Sequence, residues 1–399
     1  LSASGFRRLF NRETFFVQIA QFVLSDASDS AGQLALLQAP RPNLVLAFGS
    51  APLLRSVAAP LATAFPAAHR MGCSTAGEIS AAGVGDNSCV VTAVRLDSST
   101  LVQATTRLAD TDDSFAAGQR LARRLPERGL RAVIVLGQGV RINGCALLRG
   151  MNAILGSRVP VTGGLAGDGS AFRETWVLNN DGLSNDAIVA LGLYGDRLDF
   201  CHASYGGWSP FGPVRKVTRS VGSVLYELDG EPALAVYKRY LGEHAEGLPA
   251  SGLLFPFAML GDDHREIGLI RTILGVDEVS GGLTLAGEIE QGGYVKLMHA
   301  NTDALVDGAE TAAADALKML RATGREHVSG LALLISCVGR KLVMGGRVDE
   351  EVEAVGAVFA RHAATLAGFY SYGEISPFRP SGDCRLHNQT MTISYFSET

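Results

Sequence analysis

The chain has 399 residues, 47% of them hydrophobic and 19% charged, with a formal net charge of −5. That length supports about two or three domains with real cores, and the charged fraction is too ordinary for a disordered chain. The acidic balance and the lack of a Lys/Arg block argue against a nucleic-acid surface. No stretch reaches the roughly 18 apolar residues of a membrane-spanning helix, so no membrane insertion is expected.

Taken in chain order, "GFRRLFNRETFFVQIAQFVL" within residues 1–28 reads as a helix or an extension, with "SDASDSAG" as a loop and helix start. Its apolar core is short and no small-residue cleavage site follows, so a signal peptide is not expected. "NLVLAFGS" (43–50) is the first buried strand, followed by the helical "PLLRSVAAPLATAF", the turn "MGCSTAGEIS" (71–80) and the strand "CVVTAVRL" (89–96). The same grammar returns in the helical "SFAAGQRLARRL", the strand "AVIVLGQG" (132–139), the helical "GCALLRGMNAILG" and "VPVTGGLAGDGS" (159–170). Strands alternating with helices predict an α/β fold of mixed sheets covered by helices. A Gly-, Pro- and aromatic-rich stretch near 196–215 places a division there. The expected organisation is an N-terminal extension (1–39) and two adjoining α/β halves, 40–196 and 197–399. In the second half, Asp229 of "LDGEPAL" reads as a helix N-cap.

An internal repeat stands out. GxxxxGEI occurs at Gly72–Ile79 and Gly368–Ile375, and the relaxed copy "TGGLAGDG" (162–169) puts Asp168 where the others have Glu78 and Glu374. "GLTLAGEI" (282–289) matches the string but lacks the preceding helix, so Glu288 reads as a hairpin-turn residue.

The repeated acids lie at strand ends, where open α/β sheets hold ligands. Glu78, Asp168 and Glu374 are therefore candidate ligand contacts, with Gly77, Gly167 and Gly373 permitting close backbone approach. No P-loop or GxGxxG spacing is present, so nucleotide binding is not supported. His387, Asn388 and Thr390 would add mixed donors and acceptors near Glu374. Arg271 of "LIRTI" would add a cation for a carboxylate, and Trp208, Phe211 and Tyr372 an apolar wall. Cys73 resembles a nucleophile elbow without a neighbouring base, so a Cys73-dependent thiol hydrolase is an alternative and a buried thiol the preferred reading. The six cysteines, Cys73, Cys89, Cys145, Cys201, Cys337 and Cys384, form no CxxC, which fits reduced thiols in the cytoplasm and no metal site.

"GCSTAGEI", "NGCALLRGMNAILG", "VPVTGGLAGDG", "GWSPFGP", "YELDGEPALAVYKRYLG", "LFPFAM", "LIRTI", "SCVGR" and "GFYSYGEISP" with "HNQT" occur in this order over roughly residues 40–398. Together they resemble the FIST family of paired N-terminal and C-terminal FIST domains found in bacterial signalling proteins. The resemblance implies a sensory module for a small molecule, amino acids being the proposed ligands of many members, with a separate partner such as a histidine kinase. A subgroup looks like haem proteins that sense nitric oxide, so haem is a possible cofactor by that resemblance, with one of eight histidines, including His202, His327 and His387, as axial ligand. No kinase, receiver, cyclase or F-box segment lies in the 399 residues, so output through a partner is the expectation.

Overall fold

The computed structural model describes residues 17–26, 30–322, 324, 329–377 and 382–398. Residues 1–16, His327 and the other expectations on undescribed positions lie outside it.

Apolar runs of strand length alternate with amphipathic runs of helix length, and each becomes the element its period requires. The first unit runs β1 (Val17–Leu24), α1 (Ser30–Leu36), β2 (Leu44–Gly49), α2 (Ala51–Ala64), β3 (His69–Ser74), the short β4 (Glu78–Ser80) and β5 (Gly83–Gly85), then β6 (Cys89–Leu96). β2 is buried at every position, as a strand covered on both faces must be. It pairs parallel with β3 and antiparallel with β6. β1 closes the edge against β6 in register Val17↔Leu96. Residues 17–24, expected to lie in a helix or extension, are therefore a sheet strand, with Val17 buried in the inner core and Leu24 buried beneath the helices on the other face.

The same order recurs twice. The second unit comprises β7 (Thr100–Arg107), α3 (Ser114–Arg123), β8 (Leu130–Gly137), α4 (Gly144–Leu155), β9 (Val161–Leu165), β10 (Val177–Asn179), β11 (Gly182–Ser184) and β12 (Ala187–Tyr194). The third begins with β13 (Leu198–Tyr205), is interrupted by an insert, and resumes with α6 (Thr302–Ala322), β22 (Gly330–Cys337), α7 (Val338–Met344), α8 (Val348–Phe359), β23 (Thr365–Ser371), β24 (Gly373–Pro377), β25 (Cys384–His387) and β26 (Met391–Glu398). The expected division at 196/197 falls between β12 and β13, with two copies before it and the interrupted copy after it.

Each unit gives its small hairpin away. β4–β5 joins β23 of the third unit, β24–β25 joins β9 of the second, and β10–β11 joins β3 of the first. The exchange produces three six-stranded sheets. Their inner faces share one core, with Phe48 stacked on Phe369 at a centroid distance of 4.8 Å. α1 and α2 belong to the first unit, α3 and α4 to the second, and α6 and α8 to the third. α2, the α3/α4 pair and the α6/α8 pair pack on the outer faces. This is the mixed α/β architecture expected.

Gly72, Gly163 and Gly368 sit on the parallel strands opposite Ala47, Val135 and Leu334. A Cβ at any of them would run into the facing carbonyl oxygen, so the repeated glycine is where two backbones approach most closely.

The insert has its own core. Its strands are β14 (Ser209–Val221), β15 (Val224–Leu228), β16 (Glu231–Pro232), β17 (Phe257–Leu260), β18 (Glu266–Arg271), β19 (Ile273–Asp277), β20 (Gly282–Leu285) and β21 (Tyr294–His299), with α5 (Ala233–Leu241) packed on them. Asp229 does not cap α5. It has φ 52° in the preceding turn and accepts from the Lys216 N–H at 2.9 Å, so Pro232 stands at the cap instead.

Candidate functional site

The repeated turns hold their acids inward. Glu78 is 1% exposed and accepts from the Thr75 hydroxyl and from both the N–H and hydroxyl of Ser88, at 3.1 and 2.8 Å. Glu374, fully buried, repeats this with Ser371 at 2.8 Å and with the N–H and hydroxyl of Thr390 at 3.2 and 3.0 Å. In both copies the acid ties its turn to the residue that starts the last strand of the unit.

Asp168 is not their counterpart. Glu78 faces Phe369 and Glu374 faces Gly164 across the exchanged hairpins, and the residue in that place in the remaining copy is Val177, opposite Cys73. The longer loop of the second unit moves the register, so Asp168 caps that loop. It accepts from the N–H groups of Phe172, Arg173 and Glu174 at 2.8, 2.9 and 2.9 Å and from the Tyr372 hydroxyl. Burial pushes its carboxyl up, but these donors outweigh it and hold the group below the usual range.

Burial pushes Glu374 up to about 8, against three hydrogen bonds that oppose the shift. The folded chain therefore keeps a proton that a free glutamate, near 4.5, has released. The stability this group contributes is complete below about 4.5 and is lost as pH rises through about 8. Glu374→Gln, neutral throughout, is expected to flatten the decline of melting temperature over that range. An unchanged slope would place the alkaline sensitivity elsewhere.

A cavity of ≈ 640 Å³ lies where the second unit, the insert and the third unit meet. Three parts build its polar wall. From the second unit comes the first turn of α4, with Asn143 as N-cap accepting from the Ala146 N–H at 2.9 Å. Gly144 and Cys145 follow in the same wall. The insert supplies Thr272 and Glu288, and the third unit supplies Cys337, Gly339, Tyr372 and Asn388. Leu165, Ile273, Leu285 and Leu386 make the apolar remainder, and Phe172 stacks on Tyr372 at 4.1 Å.

Two oxygens in this wall are buried without a hydrogen-bond partner among the described residues: Thr272 Oγ1 and Asn388 Oδ1. Their residues are 3% and 1% exposed. Glu288 accepts from Asn143 Nδ2 at 2.8 Å and pairs with Arg149, which holds its carboxyl low despite burial. Expected to be a mere turn residue, Glu288 instead bridges the insert to α4. The fourth occurrence of the string was the signal for it, although its surroundings differ from the other three.

Arg271 lies one layer behind the wall and is 4% exposed. Its guanidinium donates to the carbonyls of Glu288 at 2.8 Å, Ile270 at 3.0 Å and Leu386 at 3.3 Å, and Nη2 stands 3.9 Å from Cys145 Sγ. Burial lowers its pKa, while Cys145 and Glu288 oppose that shift.

Of the residues expected to bind ligand, Asn388 and Tyr372 line this cavity and Arg271 backs it. His387, the last residue of β25, faces away from Leu386 and the cavity, and its Nε2 meets Ser376 O at 3.2 Å, while Asn388 lines the cavity from the bend that follows the strand. Glu78, Glu374, Asp168, Gly77, Gly167 and Gly373 belong to the turns and their packing. Trp208 donates to Gln389 O at 2.8 Å and packs with Ala258, Leu260 and Met298, away from the cavity.

Burial lowers both His202 and His387 to about 4, and no described histidine lines the cavity. Among the described residues no three His, Cys, Asp or Glu side chains converge as a metal set requires. Cys73 is fully buried and its thiol is pushed well up by burial, the opposite of what a nucleophile needs. No helix among the described residues is long and apolar enough to cross a membrane.

A FIST N domain model matches residues 43–231 and a FIST C domain model matches residues 233–377. The chain belongs to the FIST family. FIST domains are sensory, small-molecule-binding signalling domains, and the two matches together span all the walls of the cavity up to Tyr372. An uncharacterized protein of Methanocaldococcus jannaschii, MJ1623, is 32% identical to this FIST chain over 88 residues, 22% of this chain and 17% of that protein. The FIST chain thus spans less than a fifth of that relative's length. Among solved structures, cyanuric acid hydrolase from A. caulinodans aligns over 96% of this chain and 99% of its own, at 9% identity and a TM-score of 0.37. A second cyanuric acid hydrolase structure aligns over 96% and 100%, at 11% identity and a TM-score of 0.34. At such scores neither carries an activity across to the FIST chain.

Proposed function

We propose that this FIST chain binds a small zwitterion, an amino acid, in the cavity between its two halves and relays occupancy to a separate signalling protein, of which a histidine kinase is the expected kind. The observation that carries the reading is the pair of buried, unpartnered oxygens, Thr272 Oγ1 and Asn388 Oδ1, in the wall of a ligand-sized cavity. Buried polar atoms in native proteins are nearly always satisfied, and side chains that turn toward a ligand with matching donors and acceptors satisfy these. An ammonium suits Asn388 Oδ1 and the Glu288 carboxylate. A carboxylate suits the first turn of α4, whose leading N–H groups have no helical acceptor and whose dipole favours an anion.

Relay is supported by α7. Val338, Gly339 and Leu342 of this helix line the cavity, while its Lys341 donates to Ala76 O at 2.9 Å and pairs with Asp86 in the first unit. A ligand that shifts α7 therefore moves a contact on a different unit.

Binding to the folded state raises stability by about 2.7 kcal/mol when ligand is 100 times its Kd. A thermal-shift series over amino acids at millimolar concentration is expected to show a selective rise in melting temperature. No rise with any of them would overturn the amino-acid reading.

A further inference from the structure

The thiol of Cys145 has a setting that the zwitterion reading does not use. It occupies the second position of the twelve-residue α4, lines the cavity and is partly exposed. The five other cysteines are at most 6% exposed. Beside its sulfur stands the Arg271 guanidinium, whose hydrogen bonds otherwise go to backbone carbonyls. Arg149 lies one turn further along α4 and pairs with Glu288, the one carboxylate among the described residues lining the cavity. Two guanidinium groups thus face one carboxylate, and the start of α4 adds partial positive charge. Thr272 and Asn388 line the same space, each 97% or more buried with a side-chain oxygen that has no hydrogen-bond partner among the described residues.

We propose that Cys145 is a covalent modification site that selects small anionic electrophiles, carboxylates carrying an electrophilic carbon, over neutral ones. With an α,β-unsaturated acid, a bond forms between Sγ and the β-carbon and the π electrons move to the α-carbon. That carbon takes up a proton, the thiol proton passes to solvent, and no group leaves. The adduct fills the space at the first turn of α4 and closes the cavity to other ligands. The inference rests on the cavity's being open to small molecules and not on an amino acid's being its ligand.

The test uses the native chain and two alkylating probes, iodoacetate and the neutral iodoacetamide, with labelled thiols mapped by mass spectrometry. In either alkylation an S–C bond forms, the C–I bond breaks, iodide leaves and the thiol proton passes to solvent. Cys145 is expected to be labelled first. Its iodoacetate-to-iodoacetamide rate ratio is expected to exceed that of free cysteine about fivefold, the effect of roughly one screened unit charge at close range. Arg271→Lys should keep that ratio and Arg271→Met should lower it to the free-cysteine value. Because Arg271 is buried and its loss can prevent folding, Arg149→Gln, at a half-exposed position, provides the second variant and should also lower the ratio. Labelling led by another cysteine, a ratio equal to that of free cysteine, or a ratio unmoved by Arg149→Gln would each overturn the proposal. A failed amino-acid screen beside a raised ratio removes the amino-acid reading alone, and the converse result removes this one alone.

Discussion

Arg340→Met is expected to cost about 3–5 kcal/mol of stability, the usual result of leaving one member of a buried ion pair uncompensated. Arg340 and Glu351 both have fully buried side chains and pair at 2.8 Å. The rest of the network is satisfied: Arg340 donates to Gly206 O at 2.6 Å and Leu305 O at 2.7 Å, and Glu351 accepts from Ser336 at 3.0 Å and Tyr370 at 2.7 Å. Gly206 follows β13 and Leu305 lies in the first turn of α6, so one guanidinium clamps both ends of the stem on which the insert is carried. Since the insert forms one wall of the cavity, urea unfolding of Arg340→Met should show both a lower midpoint and loss of any ligand-induced stabilisation. Replacing both partners with apolar residues of similar volume should recover part of the loss, because no lone buried charge remains. A wild-type midpoint for Arg340→Met would show that the clamp contributes nothing.

Asn388→Leu should do the opposite to the unliganded chain. Its side-chain oxygen is buried in the cavity wall without a partner, and leaving such an acceptor unsatisfied costs about 1–3 kcal/mol. Leucine, with the same branching and number of heavy atoms, removes that cost and places its larger end in the cavity space, so the unliganded variant is expected to melt at or above the wild-type temperature. Ligand affinity should fall by the same 1–3 kcal/mol, roughly 5-fold to 150-fold in Kd. Stability gained where binding is lost is the pattern of a site kept for function. Calorimetric titration beside thermal melts of the two chains checks it. A destabilised variant that still binds with full affinity would assign Asn388 to structure alone.

The glycine and carboxylate turns are legible in the amino-acid sequence, since a repeated string with the same flanking elements is visible along the chain. Their use is not. Whether Glu78 and Glu374 point to a ligand or back to Ser88 and Thr390 depends on a hairpin exchange between units hundreds of residues apart. The same exchange decides that Val177, and not Asp168, stands in the third place.

By itself, the sequence determined the alternation of buried strands and amphipathic helices and the family, because these follow from local periodicity and from motifs contiguous in the chain. Tertiary structure alone decided the site. Cys145, Thr272, Glu288 and Asn388 come from four separate segments, and no local rule relates them. Strand parity turned His387 away from the cavity that Leu386 lines, and the bend after β25 brought Asn388 into its wall, because adjacent side chains of a strand cannot share a face.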